Sequence, residues 1–232
     1  MERDPGEGPD EQRRTIDLVV EFVTAGLGVS AVPYAEALEL QRSIHAAVVA
    51  GTAPDTVILL EHPSVYTAGK RTEDSERPSD GTPVIDVDRG GKITWHGPGQ
   101  LVGYPITTLA EPVDVVGYVR ELEAVIIGVL AELGIDAGRV DGRSGVWIGY
   151  NSPVGADKIA AIGIRVASGV TMHGFALNCN NSFEPYSKIV ACGILDAGVT
   201  SISRELGRDI SPADIAPRVQ RHLESALSGA HA

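Results

Sequence analysis

The run of apolar and polar positions along the chain predicts strands first and helices second. "TIDLVVEFV", residues 15–23, reads as a strand. "PYAEALELQRSIHAAVVAG" then predicts a helix with Ala37, Leu40, Ile44, Ala47 and Val48 on one face and Gly51 at its end. "TVILLEH", 56–62, reads as a buried strand stopped by Pro63. Short strands are expected in "VYTAG" and "TPVIDVD", on either side of a polar loop over 71–81. "GKITWHGPGQLVGYPI" follows as a strand, a Gly-Pro-Gly turn and a returning strand. The stripe Val119, Leu122, Ile126, Val129 and Leu133 marks the clearest helix, near 114–133 and closed by Gly134. Strands return in "SGVWIG", "KIAAIGIRV" and "TMHGFALN". Ser211-Pro212 then opens a C-terminal helix that buries Ile215, Val219 and Leu223. Strands outnumber helices and come in adjacent runs, which predicts an α+β fold with a mixed or antiparallel sheet and packed helices.

The 232 residues are 43% hydrophobic, enough for a sizeable core, and no linker or repeat divides them. The expectation is one domain over 15–232, preceded by a disordered polar leader, "MERDPGEGPDEQRR", over 1–14. No apolar run approaches the roughly 20 residues that span a bilayer, so no membrane partner is expected. Cys179 and Cys192 do not form a C-x-x-C pair. That excludes a disulfide framework and a cysteine-rich zinc site, and fits a reducing cytoplasm. A net charge of −12 argues against nucleic acid as a partner.

Within that frame one residue is out of place. In "GADKIAAIGIRV" Lys158 stands at the mouth of a strand whose two faces are both small or apolar. An ammonium there is costly unless something pairs with it or its head reaches water. Cys192, in "IVACGI", ends an apolar approach in Cys-Gly, a turn that would expose the thiol. Its plainer alternative, shared by Cys179, is a small buried hydrophobe. The two candidates are 34 residues apart (192 − 158), room for a strand and a loop. Should they meet, the energetics suffice. Half-ionising a thiol of pKa about 8.5 at neutral pH takes roughly 2 kcal/mol. An ammonium about 4 Å away supplies roughly 4 kcal/mol at an effective dielectric of about 20. The same lysine could protonate a leaving group and later act as a base. His96 and His173 fall in strand-like segments as ordinary core histidines, and no histidine pair has metal-binding spacing. "HGFALN" reads as a packed inner strand or as a wall for a slender apolar chain.

Several segments taken in order, "LLEHPSVYTAGKR", "RGGKITWHGPGQLVGYP", "GRSGVWIG", "KIAAIGIRV", "HGFALN", "CGI" and "VTSISRELG", resemble the lipoyl(octanoyl) transferases, the lipoate-protein ligase B family, along nearly the whole chain. The resemblance implies the fold of biotin and lipoate protein ligase catalytic domains. It implies a cytoplasmic acyltransferase that moves an octanoyl group from octanoyl-acyl carrier protein to lipoyl domains of 2-oxoacid dehydrogenase complexes and the glycine cleavage H protein. By position, Cys192 matches the family's acyl-thioester residue and Lys158 its partner, with no metal or cofactor. The acyl-substrate wall maps onto Arg89, Gly90, Gly91 and Lys92 and continues through Ile93, Thr94, Trp95 and His96. Its other parts are Ala161, Ile162 and Gly163, and Gly174, Phe175 and Ala176. Ala191 stands where the family commonly has proline. Because acyl carrier proteins are acidic, a basic rim is expected from Lys70, Arg71, Arg89, Lys92, Arg143 and Arg165. Two rivals remain on this reading: an ATP-dependent ligase that needs no cysteine, and a module that binds lipoyl domains or carriers without turnover.

Overall fold

The computed structural model describes residues 20–28, 30–152, 155–189 and 197–229. The expected leader and Cys192 lie outside the described residues. The first strand, β1 (Glu21–Ala25), leads to helix α1 (Tyr34–Val49) and the buried strand β2 (Thr56–Leu60). Three short strands come next, β3 (Val65–Ala68), β4 (Val84–Asp86) and β5 (Thr94–His96), and then the long β6 (Gln100–Ile106). Helix α2 (Val115–Glu132) follows, its first turn capped by the Asp114 carboxylate accepting from the Gly117 N–H at 2.8 Å. Strands β7 (Ala137–Val140), β8 (Arg143–Ile148), β9 (Asp157–Ala167) and β10 (Val170–Asn178) form the second half of the sheet. Strand β11 (Gly198–Val199) and helices α3 (Ile202–Leu206) and α4 (Pro212–Gly229) complete the chain.

The main sheet runs β1-β2-β6-β10-β9-β8-β7, with β11 on the edge of β9 that β10 leaves open. Its β1–β2 and β9–β11 pairs are parallel and the others antiparallel, so the expected mixed sheet is the one observed. One face carries α2 and α4: Leu122, Ile126 and Leu130 pack with Val219 and Leu223 on Val146, Ile159 and Leu177. On the other face α1 covers β6 and β10, where Ala37 and Val48 meet Ile58, Val102 and Ala176.

The expected stripe of α1 is corrected at one place. Leu40 is 40% exposed, and the buried position beside it is Gln41. The buried row is Tyr34, Ala37, Gln41 and Val48, spaced three, four and seven residues apart, which is one helix face. Leu40 lies about 100° from it. Gln41 is used there because its Oε1 accepts the His173 main-chain N–H at 3.0 Å. A second, three-stranded sheet, β4-β3-β5, shares this side of the molecule. The loop before β5 is fixed to the main sheet by the Gly90 N–H, which donates to the Ile164 carbonyl at 2.9 Å. A cleft stays open between that loop and α1. Among the described residues no helix is long and apolar enough to cross a membrane.

Candidate active site

The cleft holds about 250 Å³ and its floor is made of small side chains. On β9 and β10, Ala161 faces Ala176 and Gly163 faces Gly174 across the antiparallel ladder. All four line the cleft, with Ile162 and Phe175 at its edge. Glycine is required at 174 for close approach, and at 163 a side chain would be tight. A Cβ on Gly174 would stand 2.2 Å from the Gly103 carbonyl oxygen, and one on Gly163 would stand 3.1 Å from the Gly90 oxygen and from Arg89 Cδ. The result is a narrow channel with no branched side chain on its floor.

Lys158 lies at the head of this channel. Simple alternation puts it on the same face as Ala160, Ile162 and Ile164, toward α2. The structure turns it the other way. Adjacent residues Val146 and Trp147 of β8 pair with Ala160 and Lys158, so Ile159 is an extra residue in β9. Such a bulge re-aims a side chain. Ala160 keeps Val146's face and joins the α2 core, whereas Lys158 takes Trp147's face. Its Nζ lies 4.5 Å from the centre of the Trp147 ring. Its stem passes Gly145, where a Cβ would lie 3.5 Å from Lys158 Cε. The Gly145 N–H donates to the buried Glu123 carboxylate at 2.9 Å, which holds β8 in place under the lysine. Lys158 is only 8% exposed, and no carboxylate among the described residues pairs with it. A smaller cavity opens on its other side, lined by Trp147, Asn178, Tyr186 and Ala197–Val199. Val199 pairs with Lys158, and the Thr200 N–H donates to the Lys158 carbonyl at 3.0 Å. Residues 198–200 are thus anchored beside the lysine.

The 89–96 segment forms the opposite wall. Arg89 is buried, and its guanidinium donates to the carbonyls of Gly90, Lys92 and Thr67 and to the Thr67 hydroxyl, at 2.8–3.0 Å. It braces the loop while lining the cleft with Gly91, Lys92, Thr94 and His96. Gly90 holds the loop to β9, Ile93 is fully buried, and the Trp95 indole donates to Ser64 Oγ at 2.9 Å. These three stand behind the wall. The basic rim is narrower than expected. Lys92 pairs with Glu73 and Glu76, Arg165 pairs with Asp88, and Arg89 is internal. Lys70 and Arg71 are exposed, and Arg71 and Arg143 line the cleft from opposite sides.

A buried group of tyrosines and histidines closes the cleft on the α1 side. Tyr34 stacks on His96 with ring centroids 6.3 Å apart and tilts against His62 at 5.2 Å. His62 Nδ1 donates to the Val32 carbonyl at 2.6 Å, which leaves Nε2 to accept the Tyr104 hydroxyl at 2.8 Å. His96 Nδ1 donates to Gln100 Oε1 at 2.8 Å, since the Gln100 amide nitrogen is committed to Asn178 and Tyr186. Both assignments describe neutral rings. Burial, with the neighbouring His62 second, pushes the His96 pKa down to about 3, and burial also holds His62 and His173 below the usual imidazole range.

A folded pKa below the unfolded one means that stability is full above about pH 6.5 and falls as protons bind the unfolded chain. Between pH 6.5 and 5, His96 alone is expected to remove about 2 kcal/mol, read as a fall in unfolding free energy by denaturant titration. An unfolding free energy flat from pH 7 to 5 would contradict neutral burial.

Sequence reading passed over Tyr34, His62, Gln41, Tyr104 and Trp147. Tyr34 and Gln41 lie in no motif of the sequence, and His62, Tyr104 and Trp147, although inside the segments that carry the family resemblance, stand far apart in the chain with no spacing that marks them as part of one site. Cys179 is fully buried, and burial pushes its thiol well above the ordinary range, so it is no nucleophile.

Comparison with known proteins agrees with this architecture. The family model of the lipoyl protein ligase A/B catalytic domain matches residues 33–224. An octanoyltransferase of Clavibacter sepedonicus is 65% identical over 217 residues, covering 92% of this chain and 94% of the relative. One from Clavibacter michiganensis subsp. michiganensis is 65% identical over 213 residues, covering 90% and 91%. Among solved structures, a bi-partite lipoate protein ligase from Thermoplasma acidophilum superimposes with a TM-score of 0.66 at 14% identity, covering 90% of this chain and 82% of that one. The fold expected from the resemblance is the one observed.

Proposed function

Because the chain belongs to the lipoyl protein ligase A/B catalytic-domain family, we propose that it transfers an octanoyl group from octanoyl-acyl carrier protein to a lysine of lipoyl domains. Its setting on this reading is cytoplasmic lipoate biosynthesis. The acceptors are the acyltransferase subunits of 2-oxoacid dehydrogenase complexes and the glycine cleavage H protein. The observation that carries the reading is Lys158, a buried ammonium with no carboxylate partner among the described residues, at the head of a channel floored by alanine and glycine. An ammonium so placed calls for an anion. The family resemblance supplies one in Cys192, five residues before Ala197 in the chain.

The chemistry then runs in two halves. The Cys192 thiolate attacks the donor thioester carbonyl, and main-chain N–H groups at Cys192-Gly193 steady the oxyanion. As the carbon–sulfur bond to the carrier breaks, Lys158 gives its proton to the departing phosphopantetheine thiol and becomes neutral. The acceptor lysine amine attacks the acyl-cysteine next and loses its proton to Lys158, and Cys192 leaves as thiolate. Thioester for thioester is nearly even, and thioester to amide runs downhill. The sequence of steps uses no ATP, metal or cofactor. Lys70 and Arg71 are the exposed cations placed to meet the acidic carrier.

The test is octanoyl-acyl carrier protein mixed with a lipoyl domain, with the acceptor weighed intact. Octanoylation without ATP is the expected result. Modification that requires ATP and free octanoate would make the protein a ligase, and association without modification would make it a docking module.

A further inference from the structure

A seam in the main sheet lies beside Lys158. Strand β10 pairs with β9 as far as Leu177 opposite Ala160, and β11 takes over the same edge with Val199 opposite Lys158. On the other edge β8 pairs with Ala160 and Lys158 and passes over Ile159. The bulge residue thus sits at a gap on both sides, with no strand partner among the described pairs. Ile159 and its neighbour Ala160 both join the α2 core, and Lys158 is turned to the cleft. A bulge keeps its aim only while the flanking register is held, since a slip of one residue sends side chains to the other face. Asn178, the last residue of β10, closes the gap and is 4% exposed. Its Nδ2 donates to the Thr200 carbonyl at 2.9 Å, and the Thr200 N–H donates to the Lys158 carbonyl at 3.0 Å. A carbonyl only accepts, which fixes the orientation of the Asn178 amide. Its Oδ1 faces Gln100, whose Nε2 donates to it at 2.9 Å.

We propose that Asn178 is a positioning residue for Lys158: it joins the end of β10 to β11 across the gap at Ile159 and so holds the bulge that aims the lysine into the cleft. An amide suits the place. A carboxylate could not donate to the Thr200 carbonyl, and it would set an anion in the small cavity that Lys158 also lines. The floor farther along does not depend on this bond, because Ala161 with Ala176 and Gly163 with Gly174 are held by the continuous β9–β10 ladder. That the aim of Lys158 governs turnover rests on the octanoyl-transfer reading. The aim itself does not.

Nuclear magnetic resonance of the lysine side chains tests it. The sequence contains four lysines, so lysine labelled with carbon-13 at Cε gives four signals, and Lys158→Met identifies the one from Lys158. The Trp147 ring, 4.5 Å from Nζ, is expected to move that signal upfield. Asn178→Leu has nearly the same shape without the amide, and it is expected to return the signal toward the other three. Its kcat for octanoyl transfer should fall about 100-fold, the cost of misplacing a group by about 1 Å. Its KM for octanoyl-pantetheine should stay nearly unchanged, because the floor is intact. A folded Asn178→Leu protein with the Lys158 signal still in place would overturn the proposal, whatever its melting temperature. In the unaltered protein the Asn178 side-chain amide should exchange its hydrogens more slowly than that of exposed Asn151, and equal rates would overturn the proposal without any variant. A Lys158 signal that moves in Asn178→Leu while the unaltered protein transfers no octanoyl would overturn the transfer reading and keep the positioning role.

Discussion

Lys158→Met is expected to slow octanoyl transfer by about 1000-fold while leaving the melting temperature unchanged or raised. The kinetic part follows from the charge. An ammonium about 4 Å from a thiolate is worth roughly 4 kcal/mol at an effective dielectric of about 20, close to three powers of ten in rate. Loss of proton transfer to the leaving thiol falls within the same range, about 10²- to 10⁴-fold. The stability part follows from burial. Lys158 is 8% exposed, its ammonium rests on the Trp147 ring, and no described carboxylate offsets its desolvation. Methionine keeps the stem against Gly145 and Trp147 and removes the charge. A buried cation held for structure alone would give the opposite pair of results, a lower melting temperature with transfer little changed. Circular dichroism melting and a single-turnover transfer assay on the same preparation separate the two.

Ala161→Leu is expected to close the channel to long acyl groups and spare short ones. Ala161 faces Ala176 between Lys158 and Gly163, so an octanoyl chain entering from the lysine must cross it. Three more carbons at that point fill the floor where both partners are now single methyl groups. Octanoyl transfer should fall about 100-fold or more, the usual result of misplacing a reacting group by about 1 Å. Acetyl transfer from the corresponding thioester should change by less than about fivefold, since two carbons end before the obstruction. Equal losses for acetyl and octanoyl would mean that the chain does not run along β9 and β10.

The sheet was legible in the sequence because alternation and short apolar runs are local signals, and so was Lys158, as a charge where none belonged. Its direction was not. The bulge at Ile159 exists only in the pairing with β8, where Val146 and Trp147 take residues two apart. Strand β7, Ala-Gly-Arg-Val, has too little apolar pattern to announce itself, and it forms because β8 lies beside it. Leu40 and Gln41 exchanged places against expectation. A main-chain N–H on β10 needed an acceptor, and sequence does not show which helix will face it. The same limit hid the tyrosine–histidine group, whose members come from α1, the end of β2, β5, β6 and β10. It also thinned the basic rim, because the carboxylates that neutralise Lys92 and Arg165 are 16 or more residues away in the chain.

The most direct test of the account is the mass of the intact protein after exposure to octanoyl-pantetheine. The account predicts one covalent octanoyl group on the unaltered protein, discharged by a lipoyl domain and absent from Cys192→Ala. An adduct that survives in Cys192→Ala, or transfer to the lipoyl domain with that variant at full rate, would contradict it.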